Sequence, residues 1–174
     1  MKVIGIAGWS GAGKTTLLTR VIPRLTTRGL RVSTLKHAHH AFDIDQPGKD
    51  SHTHRVAGAT EVLISSANRF ALMHELRGEP EWTLHALLAK LSPVDLVLVE
   101  GFKRETHPKL EVFRAAVGKP MLHPDDPNIV AVASDGETAA RVPVVSLDDI
   151  EAVADILVAK ALPLDAVSAR VRSA

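Results

Sequence analysis

Cysteine is absent from this 174-residue chain, and so is tyrosine. Without cysteine there is no disulfide, which fits a reducing compartment, and no thiolate can serve as a metal ligand. Aromatic residues make up only 3% of the chain, so a platform of stacked rings for single-stranded nucleic acid is not expected. The formal net charge is +1, which argues against a general polyanion-binding surface. No apolar run approaches the roughly 18 residues that span a bilayer. The first residues, MKVIGIAGWSG, hold a short apolar stretch followed by a glycine loop, which reads as a buried strand rather than a signal peptide. A cytoplasmic protein with neither nucleic-acid nor membrane partners is the expectation.

What is present is ordinary in bulk: hydrophobic residues are 45% and charged residues 24%. The length suits one domain with a sizeable core. Val3 to Ala7 is a continuous apolar run, as in a strand buried on both faces. Lys14 to Arg28 has helical spacing, with Leu17, Leu18, Val21, Ile22 and Leu25 on one face and Gly29 at its C-terminal end. Val32 to Leu35 is the next strand. A polar loop, 36–50, then leads to a short helix over 51–58. Val62 to Ser65 and Phe70 to His74 form two paired strands with a turn near Asn68. Glu81 to Leu91 reads as helix and Val94 to Val99 as the second strongly apolar strand. Leu110 to Phe113 is placed as an outer strand, and 115–128, with Pro120, Pro124 and Pro127, as loop. Ile129 to Ala133 and Val142 to Val145 are short strands, and Asp148 to Lys160 is the last helix. This alternation predicts an α/β, P-loop NTPase-like three-layer fold. A mostly parallel central sheet would carry helices on both faces and an added antiparallel strand pair. The nucleotide-binding domain covers 1–162, with antiparallel strand additions around 60–75 and 109–114, and 163–174 is a C-terminal tail, open to fraying beyond Pro163.

The segment GWSGAGKT, residues 8–15, matches G-x-x-x-x-G-K-[ST] in full and lies between a strand and an amphipathic helix. Glycines let the backbone curl so that N–H groups of Gly8, Ser10, Gly11, Ala12 and Gly13 face phosphate oxygens. The helix N-terminus adds its positive end. Lys14 reaches the β- and γ-phosphates, the Thr15 hydroxyl ligates Mg²⁺, and Thr16 is placed for the α-phosphate. Because ligands in open α/β sheets gather at the carboxyl ends of strands, polar residues that follow strands come next. Glu100 ends VDLVLVE and is a second candidate metal ligand. Lys36 ends the second strand and is placed to neutralise γ-phosphate charge. The loop DIDQPGKDS offers Asp43, Asp45 and Asp50, with Asp50 either a helix N-cap or a metal ligand. Asp135, after the strand ending at Ala133, is either a reader of the base or a turn residue before Gly136. The N-K-x-D guanine motif is absent, so the residues alone leave guanine and adenine open. Five of the nine histidines fall between His37 and His54. They read as a transition-metal site, a loop contacting an anionic ligand, or solvated surface.

These pieces together resemble the molybdopterin-guanine dinucleotide biosynthesis adapter family, MobB. The resemblance rests on AGWSGAGKTTLL, TLKHAHHAFDIDQPGKDSHTHRVAGA, RFALMHEL, DLVLVEGFKRE and AVASD, and it fades after Arg114. It implies a GTP-binding protein of the SIMIBI P-loop class with Mg²⁺, a slow GTPase at most, working as a homodimer. Its partner would be the guanylyltransferase that joins GMP to molybdopterin, with molybdopterin itself a further ligand. It also supports Lys36, Asp50 and Glu100 as site residues and, less directly, Asp135. Two other functions compete: a small-molecule kinase or ligase, and a metal-delivery GTPase that loads a metal on His37, His39 and His40.

Overall fold

The computed structural model describes residues 1–38 and 42–172. The chain forms two compact units, one of Met1–His37 with Leu84–Ala174 and one of Ala38–Thr83. In the larger unit the elements are β1 (Lys2–Ala7), α1 (Lys14–Thr27), β2 (Val32–Lys36), α3 (Leu84–Leu88), β5 (Leu96–Glu100) and β6 (Lys109–Phe113). They continue with β7 (Ile129–Ser134), β8 (Val144–Ser146), α4 (Ile150–Lys160), β9 (Leu162–Pro163) and α5 (Leu164–Arg172). The smaller unit holds α2 (Asp50–Val56), β3 (Glu61–Ser65) and β4 (Phe70–His74).

The central sheet runs β2-β5-β1-β6-β7-β8, and all these neighbours pair in parallel. A strand buried on both faces cannot alternate polar and apolar residues, which is why β1 and β5 read as unbroken apolar runs. Val3, Ile4, Val97, Leu98 and Val99 are all fully buried. One face of the sheet packs on α1 and α4 through Ile4, Ile6, Leu98, Leu110 and Val112 against Leu17, Val21, Leu25, Val153 and Leu157. The other face buries Val3, Val97 and Val99 with Leu84, Leu88 and Val167. α1 ends as its sequence indicates. Gly29 lies at φ 83°, its N–H bonds to Thr26 O, and Leu30 N–H bonds to Leu25 O, which satisfies the last carbonyls of the helix.

Three expectations need correction. β6 is not an outer strand: it lies between β1 and β7 and is parallel to both, so 109–114 is no antiparallel addition. Lys109 and Glu111 disguised it, since both are charged yet fully buried. Lys109 Nζ bonds to Asp126 at 3.0 Å, and Glu111 accepts the N–H groups of Leu122 and His123. Their partners come from the loop 115–128, which no local pattern reveals. Residues 163–172 are not a frayed tail. β9 pairs antiparallel with the start of β1, and α5 buries Val167. The helix expected over 81–91 is confined to Leu84–Leu88.

In the smaller unit, β3 and β4 form the expected antiparallel pair, with Glu61 opposite His74 and Ser65 opposite Phe70. Arg55 on α2 bonds to Asp43 at 2.6 Å, Asp45 at 3.3 Å and Glu75 at 3.2 Å. Phe42, Ile44, Val56, Leu63, Phe70 and Leu72 are exposed in this unit.

Candidate functional site

The loop between β1 and α1 is built by glycine where nothing else fits. Gly8, Gly11 and Gly13 have φ of 142°, 81° and 96°, a region that strains L-residues with a side chain. At Gly8 a Cβ would also lie 2.6 Å from the Val112 carbonyl of β6. Gly13 caps α1 without a side-chain acceptor, and no acidic residue stands in the first turn. The N-terminal N–H groups of α1 therefore keep their capacity for an anion. Ser10, Gly11, Thr15 and Thr16 are exposed along this rim, while Ala12 is buried beneath it.

Lys14 folds back over the loop, its Nζ donating to the carbonyls of Gly8 and Trp9 at 3.1 Å each. Burial lowers its pKa, Glu100 opposes that shift, and Lys103 and Lys36 add to it. These four charged groups therefore share one neighbourhood. The sheet register explains why: Glu100 of β5 pairs with Ile6 of β1 and with Lys36 of β2, so the three strands bring their C-terminal ends to one edge. The turn after Glu100 is tightly constrained. Gly101 lies at φ 100°, and a Cβ there would meet His37 Cβ at 2.6 Å. His37 donates its backbone N–H to Glu100 O at 2.8 Å and stacks on Phe102 at 4.6 Å. His37 is thus tied into the ends of β2 and β5.

Several residues of this edge were not singled out by sequence reasoning. Trp9 donates Nε1–H to Pro120 O at 2.7 Å, and Lys103 lies 5.2 Å from its ring centre. Arg114 donates Nε–H to Ala12 O at 3.2 Å and pairs with Asp135 at 2.9 Å. Arg114 was missed because β6 was placed at the margin of the sheet. With β6 next to β1, the residue after it must lie beside the glycine loop. Asp135 stands at the carboxyl end of β7, as the strand reading requires, and its carboxylate is engaged by Arg114.

Asp50 is the first residue of α2, not its N-cap. Lys49 holds that position, and no side chain caps the helix. Asp50 is exposed in the smaller unit, whereas Asp43 and Asp45 are occupied by Arg55. His39 and His40 lie outside the described residues. Among the described residues no group of three or more histidine, aspartate or glutamate side chains is placed to hold a metal ion. Among the same residues no helix is long and apolar enough to cross a membrane.

A glycine cradle between the central strand and its helix, with a lysine over it and a carboxylate at the end of the neighbouring strand, defines a P-loop NTPase-like protein. The family model "Molybdopterin guanine dinucleotide synthesis protein B", MobB, matches residues 3–135. The chain belongs to this family. It is 43% identical over 159 residues to the molybdopterin-guanine dinucleotide biosynthesis adapter protein of Escherichia coli K12, covering 90% of this chain and 91% of that one. It is 37% identical over 155 residues to the protein of the same description in Haemophilus influenzae, covering 89% and 86%. A crystal structure of molybdopterin-guanine biosynthesis protein B superposes with a TM-score of 0.72 at 29% identity, covering 90% of this chain and 98% of that chain.

Proposed function

We propose that this chain is a GTP-binding adapter in the formation of molybdopterin guanine dinucleotide, assisting the guanylyltransferase that joins GMP to molybdopterin. The observation that carries the nucleotide part is the curled Gly8–Gly13 loop, open at an uncapped helix N-terminus, with Lys14 and Lys36 near it. The adapter part rests on the descriptions of the relatives at 43% and 37% identity. The backbone N–H groups of the loop and Lys14 would hold the phosphates, and Thr16 the α-phosphate. Thr15 and Glu100 would hold Mg²⁺, which supplies charge neutralisation at the β- and γ-phosphates when bound. Asp135 would accept the N1–H and N2–H₂ of guanine. Glu100 fits the metal role, since it is the carboxylate whose charge reaches Lys14. Slow hydrolysis at most is the reading, because no residue among those described after the cradle is an obvious strong general base. The exposed Leu63, Phe70 and Leu72 of the smaller unit support a homodimer that covers them.

Titration calorimetry with GTP and ATP in Mg²⁺ tests the site. Wild type should prefer GTP, and Lys14→Ala should abolish binding of both. Unchanged affinity in Lys14→Ala, or equal wild-type affinities, would overturn the respective claim. Co-sedimentation with the purified guanylyltransferase in GTP tests the adapter role.

A further inference from the structure

Arg114 joins two elements of the strand-end edge. It leaves the end of β6 and reaches the glycine loop on one side and the end of β7 on the other. Its Nε–H bonds to Ala12 O at 3.2 Å, inside the cradle, and one terminal nitrogen pairs with Asp135 at 2.9 Å. A Cβ built on Gly13 would lie 3.3 Å from that same Nε. A single planar group thus bonds both the Ala12 carbonyl of the glycine loop and the carboxylate at the neighbouring strand end. Both Arg114 and Asp135 side chains are about one-third exposed, at 35% and 33%, so the pair lies open on the strand-end edge.

We propose that Arg114 is a positioning residue for purine selectivity: it fixes the Asp135 carboxylate relative to the phosphate cradle. This inference rests on the nucleotide-binding reading above. The chemistry is directional. Guanine offers two parallel N–H donors, and a carboxylate receives both only when its plane faces them. An aspartate on a strand end turns freely about its last bond. Arg114 removes that freedom by holding Oδ2 with an N–H whose own direction is set by the bond to Ala12 O. Each carboxylate oxygen has two acceptor directions, so Oδ2 can serve Arg114 and still face a base. A lysine at 114 would keep the charge but not the fork, and could not hold both acceptors in one geometry. The ligand class is a purine nucleoside triphosphate, and the selectivity concerned is for a base with two adjacent donors.

The test compares GTP, ATP and inorganic tripolyphosphate binding by calorimetry for wild type, Arg114→Lys, Arg114→Gln, Asp135→Asn and the Arg114→Gln/Asp135→Asn double variant, with thermal unfolding of each. The expected result is a loss of GTP affinity of about tenfold in both Arg114 variants, as for one misaligned hydrogen-bonded pair, with ATP and tripolyphosphate shifted by less than about threefold. Adding Arg114→Gln to Asp135→Asn should then cost no further selectivity, because the arginine acts through the aspartate. Equal losses for all three ligands would overturn the proposal and make Arg114 a support of the cradle. Unchanged affinities, or additive losses in the double variant, would overturn it as well. If wild type binds tripolyphosphate but neither nucleotide, or both nucleotides equally, the base-reading claim itself fails and takes this one with it. That outcome is visible before any variant is measured.

Discussion

His107 makes the folded chain sensitive to acid, and the size of the effect follows from its surroundings. The residue precedes β6, is fully buried, and neither ring nitrogen has a hydrogen-bond partner among the described residues. Its Nε2 lies against Gly5 of β1. Burial, reinforced by the neighbouring Lys109 ammonium and opposed by Asp126, pushes the imidazole down to about 4 from its ordinary 6.5. At neutral pH the ring is uncharged in both folded and unfolded chains and the two states are not distinguished. As pH falls through 6.5 the unfolded chain takes up a proton that the folded chain refuses, so stability declines. The decline saturates near pH 4, where the folded ring is also protonated. The loss from this one group is about 2 kcal/mol at pH 5 and about 3 kcal/mol when complete. Urea unfolding at a series of pH values between 7 and 5 should show it, with His107→Met as the reference. Methionine fills similar space, carries no proton, and forfeits no hydrogen bond, because the imidazole has none to lose. The stability of wild type should fall more steeply over this range, by about 2 kcal/mol relative to the variant. Parallel curves would refute the reasoning and mean that the buried ring finds solvent or a counter-charge.

Two further substitutions probe the packing that sets the site. Gly5→Ala places a methyl group 2.4 Å from His107 Nε2 and 3.0 Å from Lys109 Cγ. It should destabilise the protein by about 1–3 kcal/mol in chemical denaturation. Adding His107→Ala should recover part of that loss, and simple additivity would argue against the clash. Gly101→Ala meets His37 Cβ at 2.6 Å and also forces alanine to φ 100°. It should lower stability by about 2 kcal/mol or more and, on the proposed metal role of the preceding Glu100, weaken nucleotide binding in Mg²⁺. A variant with wild-type melting temperature and affinity would refute the claim that this turn fixes the strand ends.

The glycine loop, the strand before it and the helix after it were legible because each is a local pattern. The spacing of Gly8, Gly13 and Lys14, the apolar run of β1 and the 3.6-residue stripe of α1 involve residues within a few turns of one another. Glu100 and Lys36 were legible for a related reason: a parallel sheet sends every strand's last residue to the same edge, so finding the strand suffices. The β3–β4 pair was visible through its turn near Asn68. Arg114 and the place of β6 were not. A central strand is expected to be apolar, and β6 carries Lys109 and Glu111, whose burial is made tolerable by Asp126 and by backbone N–H groups more than ten residues away.

By itself, then, the sequence determined that a glycine loop stands between the first strand and its helix, which lysine folds over it, and that the fold alternates strands with helices. Only the tertiary structure decided the order of the strands, and with it which residues share the edge. The place of β6 went with partners for its two buried charges from across the chain, and that is a property of assembled surfaces rather than of neighbouring residues. The same assembly put Arg114 between the cradle and Asp135, and sealed His107 against Gly5 away from water.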